Sequence, residues 1–189
     1  TSQNVEGVLE TNIYTYDLFG NLETQTNGEG HTTTFQYNIR NEMTAKIDHG
    51  GIGIASKTES YKYDERGNVI EKTDRNGVTL SFVYDVHDRL TDTKLGDNVL
   101  IHNTYDGANN KLTMQDESGT TTRTYDKLGR VLTKDVPGIG TTTYQYDITT
   151  LINNGEVSEK TVDPKNNVTI KTYDKNNRLH TVKDAENAE

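Results

Sequence analysis

All eleven tyrosines of this chain fall in two positions of one recurring pattern. Eight are followed by Asp or Asn: Tyr16-Asp17, Tyr37-Asn38, Tyr63-Asp64, Tyr84-Asp85, Tyr105-Asp106, Tyr125-Asp126, Tyr146-Asp147 and Tyr173-Asp174. Successive members are 21, 26, 21, 21, 20, 21 and 27 residues apart, and a period of this length marks a repeat architecture. The other three, Tyr14, Tyr61 and Tyr144, lie two residues before a member of that set, where Phe35 and Phe82 also stand. Side chains two apart share one face of a strand. Leu, Ile, Val and Phe make up only about a fifth of the 189 residues, the edge of the range in which chains fail to collapse. Composition therefore argues against a large conventional core, while the registered aromatics argue against disorder.

Three residues after the Asp or Asn stand Gly20, Asn41, Gly67, Asp88, Asn109, Gly129, Thr150 and Asn177. All but Thr150 are types that tolerate a left-handed backbone. This is hairpin chemistry: Asp or Asn opens a turn by bonding the backbone that follows, and a left-handed residue closes it. Six residues after the Tyr an apolar side chain follows, Leu22, Met43, Val69, Leu90, Val131, Ile152 or Leu179; Lys111 is the exception, with Leu112 one place late. A second turn is expected eleven residues after most of the tyrosines. It reads Asn27 to Gly30, Asp48 to Gly51, Asp74 to Gly77, Asp116 to Gly119 and Asp184 to Asn187, with weaker versions at Gly96 to Asn98 and Pro137 to Gly140. Each unit is then two strands of about six residues, roughly 20 Å long, and two turns. Runs of threonine at Thr32 to Thr34, Thr120 to Thr122 and Thr141 to Thr143 suit strands with one solvated face.

The two long intervals read as loops inserted at opposite ends of the strands. One falls near Gly50 to Ser56 on the second-turn edge. The other, Ile148 to Gly155, falls on the Tyr-Asp edge and moves Asp163 to seventeen residues after Tyr146. Such loops are natural contact points for a partner, and simple drift of loop length is the alternative. No helix-period segment of useful length and no linker is evident.

With 20 Lys and Arg against 29 Asp and Glu, the net charge is −9. Nothing is concentrated to neutralise phosphate, so neither nucleic acid nor an anionic membrane is an expected partner, and no apolar run approaches a membrane span. The absence of cysteine excludes a disulfide scaffold, a thiolate zinc site and a cysteine nucleophile. His31, His49, His87, His102 and His180 never pair at metal-ligand spacing, and no nucleophile elbow, phosphate loop or dinucleotide fingerprint occurs. The repeated Asp residues read as turn caps rather than calcium ligands, because neither calcium-loop pattern is present. The tyrosines read as sheet packing rather than a sugar-stacking platform, which favours the Trp that this chain lacks. Neither a catalytic residue, a cofactor nor a metal is expected.

The motif Tyr-Asp-x-x-Gly-[Asn/Arg]-[Leu/Val], best preserved at Tyr16 to Leu22, Tyr63 to Val69 and Tyr125 to Val131, resembles the YD-repeat, or RHS-repeat, family over essentially the whole chain. The resemblance implies an antiparallel β-sheet that spirals into a hollow shell, as in bacterial polymorphic toxins, insecticidal toxin complexes, wall-associated proteins and teneurins. In the toxins the shell encloses a C-terminal toxic domain, which an aspartate-dependent self-cleavage often frees. No segment here matches that cleavage core, so no residue inherits that role.

The fold class expected is therefore all-β, tandem β-hairpin repeats in a spiralling antiparallel sheet that forms part of a hollow shell. The expected organisation is a single array of about eight repeats over residues 1–189, a segment of a longer bacterial protein, secreted or on the cell surface. Its structural residues are Tyr16, Asp17, Gly20, Tyr37, Tyr63, Asp64, Gly67, Tyr84, Asp85, Tyr105, Asp106, Tyr125, Asp126, Gly129, Tyr146, Asp147, Tyr173 and Asp174. The expected partners are the rest of the shell and an enclosed toxin domain. A competing reading is an adhesive module that binds a cell-surface glycan or protein through the loops Ile52 to Ser56 and Ile148 to Gly155.

Overall fold

The computed structural model describes residues 2–3, 9–51, 53–148 and 156–185, and every regular element among them is a β-strand. By their contacts the residues divide into two compact units, 1–100 and 101–189. In the first, β1 (Ser2–Gln3) and β2 (Leu9–Glu10) form a short antiparallel pair. They are followed by β3 (Ile13–Tyr16), β4 (Leu22–Thr26), β5 (Thr32–Tyr37), β6 (Met43–Asp48), β7 (Lys57–Tyr63), β8 (Val69–Thr73), β9 (Thr79–Tyr84) and β10 (Leu90–Leu95). The second unit holds most of β11 (Asn98–Tyr105), then β12 (Lys111–Asp116), β13 (Gly119–Tyr125), β14 (Val131–Val136), β15 (Gly140–Gln145), β16 (Val157–Val162), β17 (Val168–Tyr173) and β18 (Leu179–Ala185). Within each unit the hydrogen-bonded order is the order of the sequence, β3 to β10 in the first and β11 to β18 in the second. Neighbouring strands run antiparallel, as short hairpin connections require.

Period-two alternation gives each unit two different faces. On the tyrosine face of the first unit, Tyr14 lies opposite Gln25, Phe35 opposite Lys46, Lys46 opposite Glu59, and Tyr61 opposite Lys72. The other face is threonine-rich. Thr15 faces Thr24, which faces Thr34, and in the second unit Thr104 faces Thr113 and Thr124 faces Thr133. Hydroxyls join these pairs at 2.7 Å for Thr15–Thr24, 2.6 Å for Thr104–Thr113 and 2.7 Å for Thr124–Thr133. Such cross-strand pairs stabilise a sheet without any apolar partner.

Each strand packs only against its sequence neighbours, so each unit is one layer thick. Among the described residues Ala45 is the one buried hydrophobic side chain, alongside buried Thr93, Asn103, Thr121 and Ser158. Phe35, Tyr61, Phe82, Tyr84 and Tyr144 are half-buried by lateral packing, while Tyr14 and Tyr16 are exposed. The aromatic stripe is thus packed along the sheet surface, not enclosed in a dry core.

The insertions lie where the strands end. Residues 49–56 join β6 to β7 at the second-turn edge, with His49 N–H bonded to the Thr32 carbonyl at 3.0 Å; Ile52 is outside the described residues. At the other edge the chain returns at β16, with Gln145 opposite Lys160. Thr150 and Ile152, the turn position and the apolar position expected after Tyr146, lie outside the described residues. Asp184, expected in a turn, belongs to β18, and Glu186 and Asn187 are not described.

Seven of the expected turn positions have positive φ: Gly20 (87°), Asn41 (61°), Gly67 (91°), Asp88 (60°), Asn109 (69°), Gly129 (78°) and Asn177 (61°). At Gly67 an added Cβ would also come within 3.1 Å of Glu42 Oε1. Gly67→Val is therefore expected to cost more than about 1 kcal/mol, read as a lower urea midpoint; an unchanged midpoint would refute the requirement for a left-handed residue there.

Candidate functional site along the Tyr-Asp edge

Seven turns that follow the repeated tyrosines are built alike: residues 17–21, 38–42, 64–68 and 85–89 in the first unit, and 106–110, 126–130 and 174–178 in the second. In each, the first residue's carbonyl accepts the N–H three residues on, and its own N–H donates to the carbonyl four residues on. A left-handed residue in fourth place then forces a bulge, seen as the register shift between Thr15 and Tyr16 and in the corresponding pairs. The opening side chain holds the turn rigid. Asp17 Oδ1 accepts the N–H groups of Phe19 (2.9 Å) and Asn21 (2.8 Å). Asp64, Asp85, Asp106, Asp126 and Asp174 do the same for their own turns. On the opposite edge Asn27, Asp74 and Asp163 cap equivalent five-residue turns.

The second carboxylate oxygen has its own partner, the residue that ends the turn. Asn21, Asn68 and Asn110 donate Nδ2–H to Asp17, Asp64 and Asp106 at 2.9, 3.0 and 2.8 Å. Arg89, Arg130 and Arg178 donate Nε–H to Asp85, Asp126 and Asp174 at 2.7, 2.7 and 2.8 Å. Where the cap is Asn38 the polarity reverses, and its amide donates to Glu42 Oε2 at 2.6 Å.

The repeated tyrosine links one hairpin to the one before. The ladder between β4 and β5 stops at Thr24 opposite Thr34, so the bulged Leu22 carbonyl lies beyond it. The Tyr37 hydroxyl donates to that carbonyl at 3.1 Å. Tyr63 reaches Met43 O (2.7 Å), Tyr84 reaches Val69 O (2.9 Å), Tyr125 reaches Lys111 O (2.7 Å) and Tyr146 reaches Val131 O (2.9 Å). Lys111, the apparent exception in the apolar series, occupies the same register place opposite Tyr105. A backbone acceptor is indifferent to its side chain. Beyond the second insertion the acceptor changes, and Tyr173 donates to Glu159 Oε2 at 3.1 Å.

Adjacent turns are also joined. Asn21 Nδ2 donates to Asn41 Oδ1, and Asn68 Nδ2 to Asp88 Oδ1, both at 2.9 Å. Arg40 donates to the carbonyls of Asp64 and Glu65 at 2.7 and 2.8 Å, and Arg66 pairs with Asp88 at 2.9 Å. Asp147 has a φ of 54°, and its carboxylate takes Arg130 Nη1 at 2.7 Å, with that guanidinium 4.5 Å from the Tyr146 ring centre.

These bonds set the electrostatics. The Arg89 side chain, aided by backbone N–H groups, holds Asp85 down from 3.8 to about 2. Asp17, Asp64 and Asp163 are lowered chiefly by their asparagine partners, Asp88 by Arg66, and Asp126 and Asp174 by the Arg130 and Arg178 backbone N–H groups. Desolvation raises Tyr37, Tyr63, Tyr84, Tyr146 and Tyr173 above 10.0. The carboxylates are thus fixed as ionised acceptors and the phenols as neutral donors. Among the described residues no three His, Asp or Glu side chains gather as a metal site. His31, His49 and His180 instead bond singly to Glu29, Thr34 and Glu156.

Residues 63–98, which hold the Tyr63-Asp64 and Tyr84-Asp85 turns, match the family model described as RHS Repeat. A comparison with curated protein sequences gives no match. Among solved structures, the chain resembles TcdB2-TccC3-Cdc42 (TM-score 0.60, 16% identity, 93% of this chain and 10% of that one). It also resembles the Photorhabdus luminescens Tc holotoxin pore (TM-score 0.59, 16% identity, 92% and 9%). The likeness is one of fold, and this chain spans about a tenth of the length of those chains.

Tyr84→Phe removes the hydroxyl that satisfies the Val69 carbonyl and is expected to cost about 1 kcal/mol in urea unfolding. Tyr16→Phe, at an exposed position (61%), serves as the control and should be near neutral.

The pH dependence has two limbs. The lowered Asp values contribute stability that is present above 3.8 and lost as pH falls through the folded values, towards about 2 for Asp85. The raised Tyr values contribute stability that is present below 10.0 and lost as pH rises through the folded values. Melting temperature should be level from about pH 5 to about pH 9 and fall on both sides; Asp85→Asn should flatten part of the acid limb.

Proposed function

We propose that this array of RHS repeats is a non-catalytic structural segment of a secreted or surface-delivered bacterial shell, whose wall encloses and presents a toxin domain elsewhere in the same protein. The observation that carries this reading is the hairpin-to-hairpin link through the tyrosine hydroxyl. It extends a sheet indefinitely without needing a second layer, which is what a wall requires. The likeness in fold to TcdB2-TccC3 over nearly the whole chain supports it. So does the commitment of the repeated carboxylates to turn bonds, which leaves them no part in acid–base chemistry.

In this reading the insertions are tolerated wall loops. The test uses the full-length parent protein. Limited proteolysis should leave a protected C-terminal fragment while the array is folded, and the fragment should become cleavable when Tyr63, Tyr84 and Tyr125 are together changed to Ala. Equal cleavage of that fragment in both proteins would overturn the enclosure. Binding to cells or glycans that disappears on deleting residues 50–55 would favour the adhesive module instead.

A further inference from the structure

In the second unit the aromatic stripe is broken. The position two residues before the repeated tyrosine, occupied by Tyr14, Phe35, Tyr61, Phe82 and Tyr144 in five repeats, is taken by Asn103 and Arg123 in two consecutive repeats and by Lys171, which lies opposite Glu159, in the last. Asn103 is 2% exposed and lies opposite Met114, which faces Thr121, itself 7% exposed. Arg123 stands directly opposite Lys134, and Lys134 opposite Thr142. Two cations side by side across a ladder repel each other. In the first unit the equivalent row is neutralised, since Glu59 sits 3.3 Å from Lys72 beside the Tyr61 ring.

No ion pair among the described residues reaches Arg123 or Lys134, and Arg123 Nη1 is buried without a hydrogen-bond partner. Asp135, next to Lys134 in sequence, lies on the opposite face, where it accepts from Thr141 at 2.5 Å, and Asp126, three residues after Arg123, is held by Arg130 at 2.7 Å. A guanidinium nitrogen removed from water and left unbonded is costly, in a chain that otherwise places its arginines on carboxylates and carbonyls.

From this charge imbalance we propose that the tyrosine face around Arg123 and Lys134 is a docking site for a peptide segment that inserts an Asp or Glu carboxylate between the two cations. A carboxylate matches the guanidinium fork and can be shared with the neighbouring ammonium. On the same face Thr142 stands opposite Lys134, and Tyr144 follows it two residues on, half-buried. A polyanion such as nucleic acid fits poorly, because it would also meet the field of a chain with net charge −9. This inference does not depend on the shell reading.

The test is an NMR titration of the isotopically labelled 189-residue chain with acetyl-Gly-Glu-Gly-amide, its Gln counterpart and tripolyphosphate. The Glu peptide should shift signals of Arg123, Lys134 and their cross-strand neighbours, and the Gln peptide should bind at least about tenfold more weakly. Arg123→Tyr, which restores the aromatic stripe, should keep the dispersed spectrum of the folded chain and lose the response. If that variant does not fold, Lys134→Met carries the same expectation of a severalfold loss. Equal response to the Glu and Gln peptides, an undiminished response in the variants, or tighter binding of tripolyphosphate would each overturn the proposal.

Discussion

A one-layer sheet has to satisfy its backbone with little hydrophobic burial to draw on. A buried peptide group left unbonded costs as much as a lost hydrogen bond. Each hairpin bulge in this chain takes a carbonyl out of the ladder. The tyrosine of the following hairpin bonds that carbonyl, and the capping Asp or Asn bonds the turn's N–H groups. The recurring pair is therefore one device with two halves, because the residue that makes the turn tight creates the acceptor that the next tyrosine needs. With Ala45 alone buried among the described hydrophobic residues, specificity rests on this polar matching and on laterally packed rings.

The turns were legible in the sequence because their chemistry is local. An Asp followed three residues later by Gly or Asn reports a left-handed position whatever lies around it. The tyrosine register was legible for the same reason, as a period. The tyrosine's partner was not, since a backbone carbonyl leaves no trace in residue identity, which is also why Lys111 looked like a defect while serving like Leu22. The degree of burial was invisible too. A periodic aromatic stripe looks the same whether a second layer covers it or solvent does, and here the rings are half-buried. After the second insertion, read from the sequence at Ile148 to Gly155, the register of the return depends on loop geometry, so counting from Tyr146 could not set Lys160 opposite Gln145.

The residue ending each turn carried a signal that only the structure explains. It alternates among Asn, Arg and Glu, which looks like surface drift. Asn and Arg both donate to an Asp cap, and Glu appears at the one described Tyr-edge turn whose cap is Asn. The bond is conserved within the chain while the chemistry at its two ends is exchanged. The same logic explains Asn41 and Asp88, which occupy left-handed positions where glycine is easier. Each accepts a hydrogen bond from the preceding turn, a contact that glycine cannot make.

Linkage of this kind is nearest-neighbour and directional, so stability should accumulate with each hairpin added, as in other linear repeats. It also separates the sheet's integrity from the chemistry of its faces. A hydrophobic core ties every inward side chain to packing, whereas here a Tyr-minus-two position can change from aromatic to Asn or Arg while the tyrosine beside it still holds the hairpins together. Tyr125 bonds Lys111 O at 2.7 Å although Arg123 has replaced the ring two residues earlier. A sheet built this way can vary one face position by position without losing its fold.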